Sequence, residues 1–67
     1  MKHYDRDTNE ITENDYVIIY TELSLGAGKR LYRIKNFCQT PDGRPGAIIY
    51  SGTKRLIEPL TNLLLSW

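Results

Sequence analysis

Asp5, Asp7 and Asn9 stand at alternate positions, the spacing of the first three oxygen ligands in a calcium-binding loop. Such a loop also needs glycine at its sixth position and a bidentate glutamate at its twelfth. Glu10 and Tyr16 stand there instead, so the segment reads as a polar turn whose Asx side chains bond their own backbone. Gly26-Ala27-Gly28-Lys29-Arg30 offers the glycines and lysine of a phosphate cradle, but the full pattern requires glycine where Leu23 stands and Ser or Thr where Arg30 stands. It reads as a flexible loop needing positive φ, whose two cations suit a backbone phosphate without ATPase chemistry. Cys38 lacks a base, because the sole histidine is His3, read as a solvated residue near the terminus. One histidine and one cysteine cannot assemble a four-ligand zinc site in a single chain. The N-terminal carboxylates lie in a polar run with no apolar pocket to raise one pKa. The expectation is a non-enzymatic chain with no cofactor and no small-molecule substrate.

What remains is charge, and it is sorted along the sequence. Residues 1–22 carry Asp5, Asp7, Glu10, Glu13, Asp15 and Glu22 against Lys2 and Arg6, a balance of −4. Residues 23–56 set Lys29, Arg30, Arg33, Lys35, Arg44, Lys54 and Arg55 against Asp42, a balance of +6, and Glu58 brings the chain to +1. This asymmetry points to an anionic or charge-patterned partner. The candidate site is Lys29, Arg30, Tyr32, Arg33, Lys35, Lys54 and Arg55. With nucleic acid, the cations neutralise phosphates while Tyr32, Phe37 or Tyr50 stack bases of a single strand. With a host protein, the same surface steers docking, and Leu25, Tyr20, Tyr32 or Trp67 supply apolar anchors. Lysines and arginines on outer strand faces also keep edges from aggregating. A net +1 is low for a dedicated nucleic-acid binder.

The elements that must position these residues are strands. Tyr16–Thr21 is a β-branched and aromatic run, bounded by Asn14-Asp15 and by the glycine loop. Residues 30–37 alternate, with Tyr32 and Ile34 on one face and Leu31, Arg33, Lys35 and Phe37 on the other. Residues 40–46 are dense in turn formers, so the chain reverses into a strand at 47–50. A tight turn at 51–53 leads to another strand at 54–58, then a 3₁₀ turn after Pro59 and a short closing strand through Trp67. A helix over 59–66 is the alternative, but Leu63, Leu64 and Leu65 in succession span too wide an arc for a short surface helix.

Five short strands in meander order with one 3₁₀ turn near the C-terminus describe an all-β fold, a small five-stranded barrel of the Src-homology-3 type spanning residues 1–67 as one domain. A chain of 67 residues buries only about 60% of its unfolded surface, so stability is modest. The single cysteine fits a reducing, cytoplasmic setting. The opening lacks the apolar run of a signal peptide, and no apolar stretch reaches the roughly 18 residues of a membrane span, so no membrane role is expected.

Residues 5–17, Asp-Arg-Asp-Thr-Asn-Glu-Ile-Thr-Glu-Asn-Asp-Tyr-Val, resemble the opening of small barrels encoded by bacteriophages, the YopX-like proteins. That pattern runs Asp, a turn, Ile, then Glu-Gly-Asp-x-Val, and its last part is similar to the Gly-Asp-x-Val start of KOW-type barrels. Asn14 stands for the glycine and tolerates a left-handed backbone, and Thr8 stands where the pattern has a turn glycine. The resemblance implies a barrel fold and phage or mobile-element origin, and it carries over no site residues. Ala47-Ile48-Ile49-Tyr50 is similar to the Val-Gln-Ile-Tyr stretch of type II dihydrofolate reductases, but isoleucine replaces the glutamine.

Overall fold

Val17 and Ile19 are buried while Tyr16 is exposed and Ile18 half-buried, and this period of two makes Tyr16–Ile19 a strand with one face on the core. The computed structural model describes residues 2–26 and 30–66. Its elements are β1 (His3–Tyr4), β2 (Glu10–Ile11), β3 (Tyr16–Ile19), α1 (Tyr20–Ser24), β4 (Tyr32–Gln39), β5 (Pro45–Ser51), β6 (Lys54–Pro59), a 3₁₀ turn (Leu60–Asn62) and β7 (Leu63–Leu65). β1 and β2 form a small ribbon; the other strands form a five-stranded antiparallel sheet ordered β6-β5-β4-β3-β7. The chain is thus mostly β, and the five expected strands are present with the 3₁₀ turn before the last; β3 to β6 run as a meander, whereas β7 leaves β6 and pairs with β3. Residues 59–66 form a turn and a strand rather than a helix. Among the described residues, β6 and β7 remain the two edges of the sheet, with no ladder joining them.

Ile11, Val17, Ile19, Tyr32, Ile34, Ala47, Ile49, Leu60 and Leu63 form the core, with Phe37, Leu56 and Leu65 packed against it. The placement of Phe37 corrects the alternation read from the sequence. The register between β4 and β5 shifts between Ile34 and Asn36, a bulge that inserts Lys35 and reverses the phase beyond it. Phe37 consequently pairs with buried Ala47 on the inner side, away from Arg33.

Tyr20 and Thr21, expected to extend β3, turn into α1 instead. The strand stops where its neighbour stops, because the β7 ladder reaches only Ile19↔Leu63. Ile19 at the N-cap has no side-chain oxygen, so Asn62 from the 3₁₀ turn supplies one. Its Oδ1 accepts from the Thr21 N–H at 3.2 Å, and its Nδ2 donates to Thr21 Oγ1 at 3.2 Å. Tyr20 is held from the other side, under the Arg6 guanidinium at 3.9 Å from the ring centroid.

The N-terminal carboxylates are not all solvated, as the polar run suggested. Asp5 is buried, its carboxylate accepting from the backbone N–H groups of Asp7, Asn9 and Leu65 and from the Asn9 amide. The Asx turn foreseen there therefore exists, and it is anchored to β7. Thr8 and Asn14 both adopt positive φ, 64° and 75°, inside the two turns that flank β2.

Candidate functional site

In antiparallel strands, residues directly opposite one another share a face, so the register decides which side chains meet. Tyr16 pairs with Arg33, Arg33 with Tyr50, and Tyr50 with Arg55. A single row therefore crosses β3, β4, β5 and β6 as Tyr, Arg, Tyr, Arg. The next position on β4 and β5, Ile34 opposite Ile49, is buried, so this row faces outward. Tyr16 is 49% exposed and Arg55 is exposed, while Arg33 and Tyr50 are half-buried between them. The Arg33 guanidinium lies 5.8 Å from the Tyr16 ring centroid. Its Nε is shielded from solvent without a hydrogen-bond partner.

The bulge pushes Lys35 outward beside this row. Lys35, Tyr50, Gly52, Thr53 and Arg55 surround an open groove of about 470 Å³. Further along the same face Ile48 opposes Ile57, which is about half exposed, giving the basic row an apolar margin.

Of the residues expected to form the site, Arg33, Lys35 and Arg55 come together on this face. Lys54 is exposed at the β5–β6 turn, opposite Ser51, and the strand alternation separates it from Arg55. Arg30 is exposed ahead of β4, beside the Tyr32 hydroxyl rather than in the row. Lys29 lies outside the described residues, as do Ala27, Gly28 and Trp67. Tyr32 is a correction: its ring is wholly buried and cannot stack on a ligand. Its hydroxyl donates to the Glu22 carboxylate of α1, at 3.0 and 3.3 Å from the two oxygens. The tyrosine that the pairing leaves exposed beside Arg33 is Tyr16. Its phase opposite Val17 and Ile19 was legible in the sequence, but its neighbours depend on a pairing that a sequence does not state.

Burial, then the hydrogen bond to Glu22 and its charge, raise the Tyr32 phenol above the ordinary tyrosine value, with Arg30 partly opposing. A raised pKa means the fold holds the proton more firmly than the unfolded chain does. The resulting stability is full below the unfolded value near 10 and is lost as pH rises through the folded one. Melts above pH 10 should therefore show wild type losing stability more steeply than Tyr32→Phe. Equal slopes would contradict this linkage.

Five of the acids, Asp5 among them, are engaged locally, whereas among the described residues the exposed Asp7, Glu10 and Glu13 carboxylates are not. Asp15 accepts from the Thr12 N–H at 2.8 Å and from its hydroxyl, Glu22 accepts from Tyr32, and Glu58 accepts from Asn62 at 2.9 Å. The Thr40 hydroxyl, and then the Arg44 guanidinium, hold Asp42 below the usual carboxylate range. Among the described residues, Arg44–Asp42 is the one salt bridge, at 2.8 Å. The cations of the outer face therefore stand without a carboxylate partner.

His3, read from the sequence as solvated, is half-buried and stacks on Phe37 with ring centroids 3.8 Å apart and planes 9° from parallel. It borders a surface groove together with the free, half-buried Cys38. Among the described residues, no group of three or more His, Cys, Asp or Glu side chains is arranged to hold a metal ion, and no helix is long and apolar enough to cross a membrane. Comparison with protein-family models, with characterised proteins and with solved structures gives no match.

Proposed function

We propose that this chain is a non-enzymatic nucleic-acid-binding module, a small Src-homology-3-like barrel that presents a basic and aromatic sheet face to its ligand. The observation that carries the reading is the Tyr16–Arg33–Tyr50–Arg55 row with Lys35 beside it, cations that have no carboxylate partner among the described residues. The barrel reading is supported by the path of the chain, in which a strand that follows a 3₁₀ turn returns to pair with β3. A phage or mobile-element origin rests on the resemblance of residues 5–17. The free Cys38 suits a reducing, cytoplasmic compartment.

Phosphate contacts release counterions, so binding must fall with salt. Labelled DNA and RNA titrated at two salt concentrations test this. With Arg33, Lys35 and Arg55 each engaging a phosphate, Arg33→Glu/Arg55→Glu should weaken binding on the order of a hundredfold and flatten the salt slope by about two. Salt-insensitive binding, or none, sinks the proposal.

Docking to a host protein is the rival reading, and one observation favours it. Leu25 is 82% exposed, and Leu23 and Leu31 are also exposed on either side of the loop after α1. Retention of a partner from host lysate that is lost in Leu25→Asp, with nucleic acid unbound, would establish that reading instead.

A further inference from the structure

We infer that the ligand of the outer face is single-stranded nucleic acid, with one base on the Tyr16 ring, another on the Tyr50 ring and the Arg33 guanidinium between them. This rests on the nucleic-acid reading above and narrows it to a strand form and a contact pattern.

Adjacent strands lie about 4.8 Å apart, so rings two strands apart are roughly 10 Å apart, with Arg33 midway. Tyr16 and Tyr50 sit on the same side of the sheet, and among the described residues neither hydroxyl is tied to a protein partner by a hydrogen bond. Tyr16 is 49% exposed and Tyr50 half-buried, so each strand presents part of a tyrosine ring to the outer face. Arg33 is held in place by its neighbours, its Nε shielded and its guanidinium over Tyr16, which leaves its outer N–H groups for a phosphate or a base edge. Lys35 and Arg55 border the groove beside Tyr50, where the backbone phosphate next to the second base would lie.

A duplex makes poor use of this arrangement. Its base edges are reached by a helix or a ribbon entering a groove, whereas these residues lie flush on the face of a sheet. Paired bases also keep their faces stacked on each other, so tyrosine rings have nothing to cover. Cations interleaved with aromatic rings are the pattern that serves a single strand, since every base has a face to stack and the phosphates follow the positive groove.

The test uses the full chain and fluorescence anisotropy with a labelled single strand of about twelve thymines, the same strand annealed to its complement, and an abasic strand of equal length. The single strand should bind at least tenfold more tightly than the duplex. Tyr16→Ala and Tyr50→Ala should each weaken single-strand binding roughly tenfold with the salt slope unchanged, because the phosphate contacts persist. Tyr16→Phe should retain binding, and the abasic strand should bind wild type and both alanine variants alike. Circular dichroism melts separate lost contacts from lost folding. Equal affinity for single strand and duplex, or alanine variants indistinguishable from wild type on the thymine strand, overturns the inference while leaving the nucleic-acid reading in place. Absence of salt-sensitive binding to any strand removes both.

Discussion

Asp5→Ala should destabilise the protein by about 3 kcal/mol and lower its melting midpoint by on the order of 15 °C, although Asp5 touches no part of the outer face. The carboxylate is only 6% exposed and is shared among four donors. Oδ1 accepts from the backbone N–H of Asp7 at 2.9 Å and of Asn9 at 2.8 Å, closing the turn between β1 and β2. Oδ2 accepts from the Leu65 N–H at 2.7 Å and from Asn9 Nδ2 at 3.3 Å, tying that turn to β7 across 60 residues of sequence. The backbone bond from Arg6 N–H to the Leu63 carbonyl, at 2.8 Å, closes the same junction. Hydrogen bonds to a charged acceptor contribute about 1.5–3 kcal/mol each, and alanine leaves the Leu65 N–H without its acceptor. For a chain of 67 residues, whose whole stability is roughly 3–10 kcal/mol, that loss brings it near the folding threshold. Asp5→Asn should fail almost as badly, because whichever way the amide is turned its NH₂ faces a backbone donor. Urea melts of the two variants decide the matter. A loss below about 1 kcal/mol in both would mean that the ribbon is not braced through Asp5.

The sequence showed the turn but not the brace. An aspartate followed by polar residues reads as an Asx turn from local chemistry alone, and the local half of the Asp5 network was legible for that reason. Its other half depends on Leu65 arriving beside it, a contact that no spacing rule encodes. The same division runs through the fold. The strands at 16–19, 32–39, 45–51 and 54–59 are runs carrying apolar, aromatic or β-branched residues bounded by turn formers, and those signals act within a few residues. The end of β3 at Ile19 is different: Tyr20 and Thr21 have strand-forming side chains, yet their backbone is capped by Asn62 from the far end of the chain. Propensity favoured one state and a tertiary contact imposed the other.

The candidate site divides along the same line. That residues 23–56 are basic was plain in the composition, but which cations share a face was decided by the bulge at Lys35 and by the register. Arg33 and Arg55 meet through Tyr50, whereas adjacent Lys54 is sent the other way. Tyr32, at the centre of the basic stretch, looked like a stacking residue because its sequence neighbours are charged. Its pairing opposite Val17 takes it into the core, where Glu22 meets its hydroxyl. One acid counted toward the negative N-terminal segment is thereby spent on a buried phenol.

Among the described glycines, Gly46→Ala should be the most damaging substitution, although Gly46 has none of the backbone strain usually used to explain an indispensable glycine. Read in sequence, it is one more turn former in the run 40–46. In the structure it belongs to β5, opposite Pro59, and it is buried. A Cβ there would lie 2.7 Å from the Glu58 carbonyl oxygen and 2.7 Å from Thr40 Cγ2. The carbonyl is main chain of β6 and cannot move without opening the β5–β6 ladder. Thr40 is buried, and its hydroxyl bonds the Asp42 carboxylate and accepts from the Arg44 N–H at 3.1 Å, so rotating it away dismantles the turn. Overpacking of this kind costs about 1–3 kcal/mol, and with both neighbours fixed the upper end applies. Gly43 gives the comparison: its φ is +88° but nothing lies within 4 Å of a Cβ, so Gly43→Ala carries only the left-handed penalty of about 1–2 kcal/mol. Thr40→Ser removes the Cγ2 atom while keeping the hydroxyl, so adding it to Gly46→Ala should recover part of the loss, a coupling that a double-mutant cycle in urea reads directly. Were Gly46→Ala no worse than Gly43→Ala, or the two sites strictly additive, the close approach of β6 to β5 would not be what fixes this position as glycine.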